Sequence, residues 1–383
     1  MPAFPAPISR RTVLGAGGVI AASAALGLGV PRTARAAAPA GLPWHVGLTS
    51  EQQVGQRVVF SYSGPTPPDE LLQWIRDGKV GGLIFFGENI VSLEQIADVV
   101  TELRQAHAQS PTASSPLMLM TDQEGGLIRR LRGEEPVLSE KQIGLSADPL
   151  AEATHAGAGA GAALRNVGMN MNLAPVLDVF REEGNFDDRF GRSYSMDPQV
   201  CSTLGAAFVR AQQATGVAAT AKHFPGLGAA TRDQNTDLGP VVLDLPADEI
   251  RDVDEFAFTG PIAAGVDLVM TSWGLYPAID PEFPAGLSER FVQGELRHRL
   301  HFAGVTITDA LEAGAIDAFG DDAQCAVLAA RAGMDVLLCS ARDLAQGQQT
   351  VEALASALDG GRLNPGQAVS ALRRVHRLRD RLF

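Results

Sequence analysis

A (β/α)8 barrel is the fold class that the sequence predicts, and three observations predict it. Eight apolar runs of strand length recur along the chain, separated by segments with helical patterning. The runs are continuously apolar, as strands covered on both faces of a parallel sheet must be. No Gly-x-Gly-x-x-Gly opens a helix after the first run, which argues against an open dinucleotide-binding sheet. Eight βα units in a chain of 383 residues suit a closed barrel, one mature domain over residues 41–383.

The elements follow in order. Leu48-Thr49-Ser50-Glu51-Gln52 is a helix start with a hydroxyl cap, and residues 58–62 are the first strand. A helix over 70–76 leads to the glycine-bounded run 81–87. The helix over 93–106 has Ser92 as its cap, and the strand over 117–122 ends in Asp122. An Ala/Gly-rich helix spans 151–167, and a strand over 169–178 ends in Asp178. Helix 201–214 precedes the strand 217–221, which delivers Lys222 and His223 before Pro225, Gly226 and Gly228 force a loop. Helix 248–264, strand 268–273 with Trp273 at its end, helix 288–300 and strand 305–309 ending in Asp309 come next. Helix 323–332, strand 336–339 and an Arg-rich helix near 365–382 close the pattern.

The first forty residues have another purpose. Arg10-Arg11 precede an apolar run over 13–30, and Ala34-Arg35-Ala36 offers a small-x-small cleavage site. These are the three parts of an export signal, and the arginine pair points to the twin-arginine route. The mature protein is therefore expected outside the cytoplasm, without a membrane anchor, and as a monomer. A formal net charge of −13 argues against a nucleic acid or an anionic membrane as partner. The three cysteines, Cys201, Cys325 and Cys339, are widely spaced and match no metal pattern; buried apolar thiols are expected. No cofactor or metal is expected.

In such a barrel the active site forms at the carboxyl ends of the strands. Those ends carry Asp122, Asp178, Lys222 with His223, Trp273 and Asp309. The chain has only three lysines, so one at a buried strand end calls for an anion, a ligand or a mechanism. Alternating carboxylates and cations suit a polyhydroxyl ligand, and Trp273 could stack on a sugar face or cap the core. Two reaction classes fit: Schiff-base chemistry on Lys222, or glycoside hydrolysis by paired carboxylates.

Three motifs narrow the choice. Asp122-Gln123-Glu124-Gly125-Gly126, Lys222-His223-Phe224-Pro225-Gly226-x-Gly228 and Thr308-Asp309-Ala310-Leu311 together resemble glycoside hydrolase family 3, in its single-domain β-N-acetylhexosaminidase branch. Weaker echoes run from Leu48-Thr49 to Ala332-Gly333-Met334-Asp335. The resemblance implies a retaining glycosidase acting on terminal β-linked N-acetylhexosamine, as in cell-wall or chitin-type fragments, through a covalent glycosyl-enzyme. It places Asp309 at the nucleophile and Asp122, Arg192, Lys222 and His223 on the sugar in the −1 subsite. Asp178 is expected to orient or support.

The sequence departs from that branch in three places. The loop after the signature has Asp233-Gln234-Asn235 where Asp-Ser-His is usual, so Asn235 stands in the place of the acid/base histidine. Leu227 and Leu127 replace a common histidine and a common arginine. Asn235 cannot donate and recover a proton near neutral pH. The acid/base role then falls to Asp237, ahead of Asp233, on the same loop, or to His223. Otherwise the chain is a weakly active or silent glycan-binding relative, or a glycosidase of different sugar preference.

Overall fold

The computed structural model describes residues 47–383; the expected export signal lies outside the described residues. Eight parallel strands close a barrel in chain order. They are β1 (Val58–Phe60), β2 (Gly82–Ile84), β3 (Met118–Thr121), β4 (Met171–Asn172), β5 (Ala218–Phe224), β6 (Leu268–Thr271), β7 (Val305–Ala310) and β8 (Val336–Leu338). β1 sets Val58 opposite Leu337 of β8 and Val59 opposite Gly82 of β2, which closes the ring. The predicted (β/α)8 fold is the observed one.

The apolar runs bury both faces, with strand alternation deciding which side chain goes where. Val59, Ile84, Met118, Met120, Met171, Leu268, Met270, Ile307 and Leu338 pack together in the lumen. Their neighbours Val58, Phe60, Leu83, Leu119 and Leu337 join one cluster under the helices, and Ala219, Ala221 and Val269 join another. Each large side chain so buried contributes on the order of 1.5–3 kcal/mol.

The helices begin where their caps are. Thr49 and Gln52 form a reciprocal capping box at Ser50–Gly55, and Ser92 accepts from the Gln95 amide at 3.0 Å at the start of Leu93–His107. The small residues of Pro149–Asn166 serve packing. A Cβ on Gly157 would collide with the backbone of Phe208 in Pro198–Ala214, so glycine lets the two helices approach. The last helix, Pro365–Arg379, covers the amino end of the barrel. Its Val375 and Leu378 complete the lumen cluster, and Arg379 donates to the carbonyls of Ser115 (2.8 Å) and Pro116 (2.6 Å) just before β3. Among the described residues no helix is long and apolar enough to cross a membrane, and all three cysteines are buried and free.

The structure corrects three element expectations. Of the run 169–178 only Met171–Asn172 pairs as a strand. Pro175 has no N–H for the ladder, and the segment keeps one isolated bridge, Val176 with Lys222. β5 is longer than predicted and carries Lys222 and His223 within it. The helices expected over 248–264 and 288–300 contain wider turns, with i→i+5 bonds from Glu255 to Ile250 and from Leu300 to Glu295.

Candidate active site

At the carboxyl ends of the strands lies a cavity of about 320 Å3. It gathers Asp122, Arg192, Lys222, His223, Asp237 and Asp309 from the predicted set, and adds Glu124 and Arg130, which the sequence reading had not singled out. Strands β5 and β7 and the segments that follow β3, β4 and β5 supply them, so the site exists only in the closed barrel.

The polar wall is a chain of ion pairs. Lys222 Nζ donates to Asp122 Oδ1 at 2.8 Å and lies 2.7 Å from Glu124 Oε1. Arg192 grips Glu124 with two bonds, Nε to Oε2 at 2.9 Å and Nη2 to Oε1 at 3.0 Å, and reaches Asp187 Oδ1 at 3.2 Å. His223 Nδ1 is 2.7 Å from Asp178 Oδ2, whose other oxygen accepts from the Leu227 amide at 2.7 Å. Asp178 thus fixes the imidazole ring from beneath and does not line the cavity.

Each buried group is charged because its partners outweigh its burial. Burial would raise Glu124, but Arg192 and Lys222 hold it at about 2. Burial would raise Asp122 too, yet Lys222 and Arg130 keep it below its ordinary value. Burial works against the charged form of Lys222, and Asp122 and Glu124 reverse it, raising its pKa. His223 is raised in the same way by Asp178. Asp187 is the exception: burial, then the charge of Asp178, lift it to about 7, and its Oδ2 has no partner among the described residues.

Two further carboxylates line the same cavity outside the network. Asp309, in β7, accepts among the described residues only from the amide of Ala310, at 2.8 Å. Asp237 sits at the mouth on the loop after β5, where Gly314 donates to its carbonyl at 3.0 Å and Asn235 Oδ1 accepts from its amide at 2.9 Å. Burial and the charge of Asp309 raise the Asp237 pKa. The loop leaves the barrel at Gly228, where a Cβ would collide with the Val179 backbone; glycine lets the chain turn close over the segment that follows β4.

Two expectations need correction. Trp273 is 1% exposed and does not line the cavity; its indole donates to the Ala310 carbonyl at 2.7 Å. A ring with no open face cannot stack on a sugar, so Trp273 props up β7 beside Asp309. Asp233 is exposed and outside the cavity, whereas Asn235, Thr236 and Asp237 line it. Glu124 was visible two residues after Asp122 in the first motif, but only the structure shows both cations converging on it.

Known proteins resemble this chain in sequence and in fold. The family model described as the glycosyl hydrolase family 3 N terminal domain matches residues 49–378. An uncharacterized secreted glycosyl hydrolase of Arthroderma benhamiae is 46% identical over 86% of this chain and 93% of its own length. β-Hexosaminidase A of Pseudoalteromonas piscicida is 31% identical over 88% of this chain, which spans 62% of that protein. The β-N-acetylhexosaminidase structure from Beutenbergia cavernae superposes with a TM-score of 0.78 at 34% identity, covering 86% of this chain and 97% of that one. The family 3 β-N-acetylglucosaminidase of Paenibacillus sp. gives a TM-score of 0.82 at 34% identity, over 87% of this chain and 62% of its own. With a closed barrel, its polar residues at the carboxyl ends of the strands, and a family model that runs almost the whole described length, the chain belongs to glycosyl hydrolase family 3 and is a glycoside hydrolase.

Proposed function

We propose that the protein is an exported retaining glycosidase that removes terminal β-linked N-acetylhexosamine, with Asp309 as nucleophile and Asp237 as general acid/base. The observation that carries this reading is the division of one cavity. Lys222, Arg192 and His223 are bound into a fixed polar wall, while Asp309 and Asp237 face the same space without a cation of their own.

A sugar in the cavity places its hydroxyls against the fixed charges, which cannot rearrange and so orient it before reaction. The Asp309 carboxylate attacks the anomeric carbon, and the glycosidic oxygen leaves with the Asp237 proton. Water then attacks the glycosyl-aspartate, gives its proton to Asp237 and returns Asp309 to the carboxylate. A general acid must be protonated when it acts, and the raised pKa of Asp237 provides for that. The names of the hexosaminidase relatives support the N-acetylhexosamine preference, and the word "secreted" in the Arthroderma protein's name supports export, by the twin-arginine route on the evidence of Arg10-Arg11.

The test is product stereochemistry with intermediate trapping. Proton NMR of an aryl β-N-acetylglucosaminide digest should show the β-anomer first, and mass spectrometry of an Asp237→Ala reaction should find the sugar on the peptide holding Asp309. An α-anomer as first product, or unchanged turnover by Asp309→Ala, would remove the proposed mechanism. Failure of the wild type to cleave aryl glycosides and disaccharides alike would favour a glycan-binding role.

A further inference from the structure

A second cavity, of about 530 Å3, opens at the amino end of the barrel. It lies between the residues preceding β1 and β8 and the start of Pro365–Arg379. Its lining holds two guanidiniums, Arg57 and Arg374, with Gln293, Gln367 and Ser370, and no Asp or Glu.

Behind the lining, two arginines share one carboxylate and a third lies against the backbone beside it. Asp335, fully buried, accepts from Arg297 Nη2 at 2.7 Å, and from Arg374 Nε at 2.9 Å and Nη2 at 2.7 Å. Arg57 is 2% exposed, yet it meets no carboxylate side chain. Its Nε and Nη2 donate to the carbonyls of Asp335 (2.8 Å) and Met334 (2.7 Å). Among the described residues Asp335 is the one carboxylate whose charge bears on both Arg57 and Arg374 and on Arg297. Three positive charges against one negative leave an excess of two. The Nη1 groups of Arg57 and Arg374, and the Gln367 side-chain amide, have no hydrogen-bond partner among the described residues.

We propose that this cavity binds a phosphate dianion, free or as a phosphomonoester, between Arg57 and Arg374. A buried cation without an anion is costly; Arg57 is in that position, and burial depresses its pKa to about 10. A dianion matches the excess of two. Paired planar guanidinium donors suit its oxygens, and the amides of Gln293 and Gln367 supply further donors. The protein as a whole is strongly acidic, so attraction to an anion must come from this local excess and not from the general field. The volume exceeds what phosphate alone needs, which leaves room for an organic substituent.

Scanning calorimetry of the full chain in phosphate and in chloride at matched ionic strength tests the site. The mutant for comparison is Ser370→Glu, which adds a carboxylate to the lining while leaving the three arginines and Asp335 in place. Phosphate at about a hundredfold its Kd should raise the wild-type Tm by roughly 3 °C over chloride. Ser370→Glu should lose that increment, with Kd weakened at least tenfold by isothermal titration, and should keep its aryl-glycosidase activity as evidence of folding. Glycerol 3-phosphate in a parallel series tells a phosphomonoester site from one for free phosphate, by which of the two acts at lower concentration. Equal Tm in phosphate and chloride overturns the proposal, because Arg57 is then only a strut for the Met334 and Asp335 carbonyls. An undiminished shift in Ser370→Glu also overturns it, because the anion then binds elsewhere, as at the catalytic cations.

Discussion

The two ends of this barrel carry buried ionic clusters of opposite balance. At the carboxyl end Lys222, Arg192 and His223 are met by Asp122, Glu124, Asp178 and Asp187, and two further carboxylates stand free of the pairing. At the amino end three arginines meet Asp335 alone. The first cluster spends its paired charges on rigidity and exposes the unpaired ones to a cavity where chemistry can use them. The second uses its cations to tie strand ends to the closing helix. A buried ion pair is weak evidence of stability in either place; the position of the unpaired charge separates the working end from the supporting end.

The contrast is sharpest for removal of a single carboxylate at each end. Asp309→Asn should lower kcat/KM by on the order of 10⁴-fold or more, as loss of a covalent nucleophile does, with Tm unchanged or higher. A steady-state assay beside a thermal melt reads both. Asp335→Asn should do the reverse. It leaves Arg297 and Arg374 without their shared anion and should cost about 3–5 kcal/mol in urea unfolding, while kcat of the folded fraction stays near wild type. A comparable kcat loss in both variants would erase the distinction.

A smaller effect separates the two loop carboxylates. Asp237→Ala should lower turnover of a disaccharide by roughly 10²–10⁴-fold and of an aryl glycoside far less, because a good leaving group needs little protonation. Asp233→Ala should change neither, since Asp233 is exposed outside the cavity. The wild-type rate on the disaccharide should fall as pH rises through the raised Asp237 pKa, and that limb should vanish in Asp237→Ala.

The smallest effect is on stability against pH. Asp254 is buried beside Arg181, and burial lifts its pKa to about 7. An acid raised in the folded state binds its proton more tightly there than when unfolded. Stability from this group is therefore greatest below its unfolded value near 4 and declines as pH rises through 7. Asp254→Asn should flatten that part of the profile, a difference of about 1–3 °C in Tm between pH 5 and 8. Identical profiles for the two proteins would show that Arg181 keeps Asp254 ionised throughout.

Much of this was legible in the sequence, for a physical reason. Strands covered on both faces must be continuously apolar, so all eight runs could be read, and rim residues fall where each run ends: Asp122, Asp178, Asp309. What could not be read depends on directions that loops decide. Trp273 ends a run like the others, yet its ring turns into the core. Glu124 meets Arg192 from a segment 68 residues away, a convergence that no local pattern encodes. Asp237 and Asp233 are indistinguishable on paper, and only the fold of the loop after β5 puts one on the cavity lining and the other outside it. The strand expected over 169–178 shortened because Pro175 interrupts the ladder.

The ring closure has a consequence for how the chain is made. Val58 pairs with Leu337, and the lumen is filled from one end by Val375 and Leu378. At roughly 5–20 residues per second, a ribosome delivers β8 and the final helix on the order of tens of seconds after β1. Until then the first strand has one open edge and the lumen one uncovered end. The nascent barrel is therefore an incomplete sheet for most of its synthesis, and truncations that remove only the last helix should yield chains held by chaperones rather than smaller working enzymes.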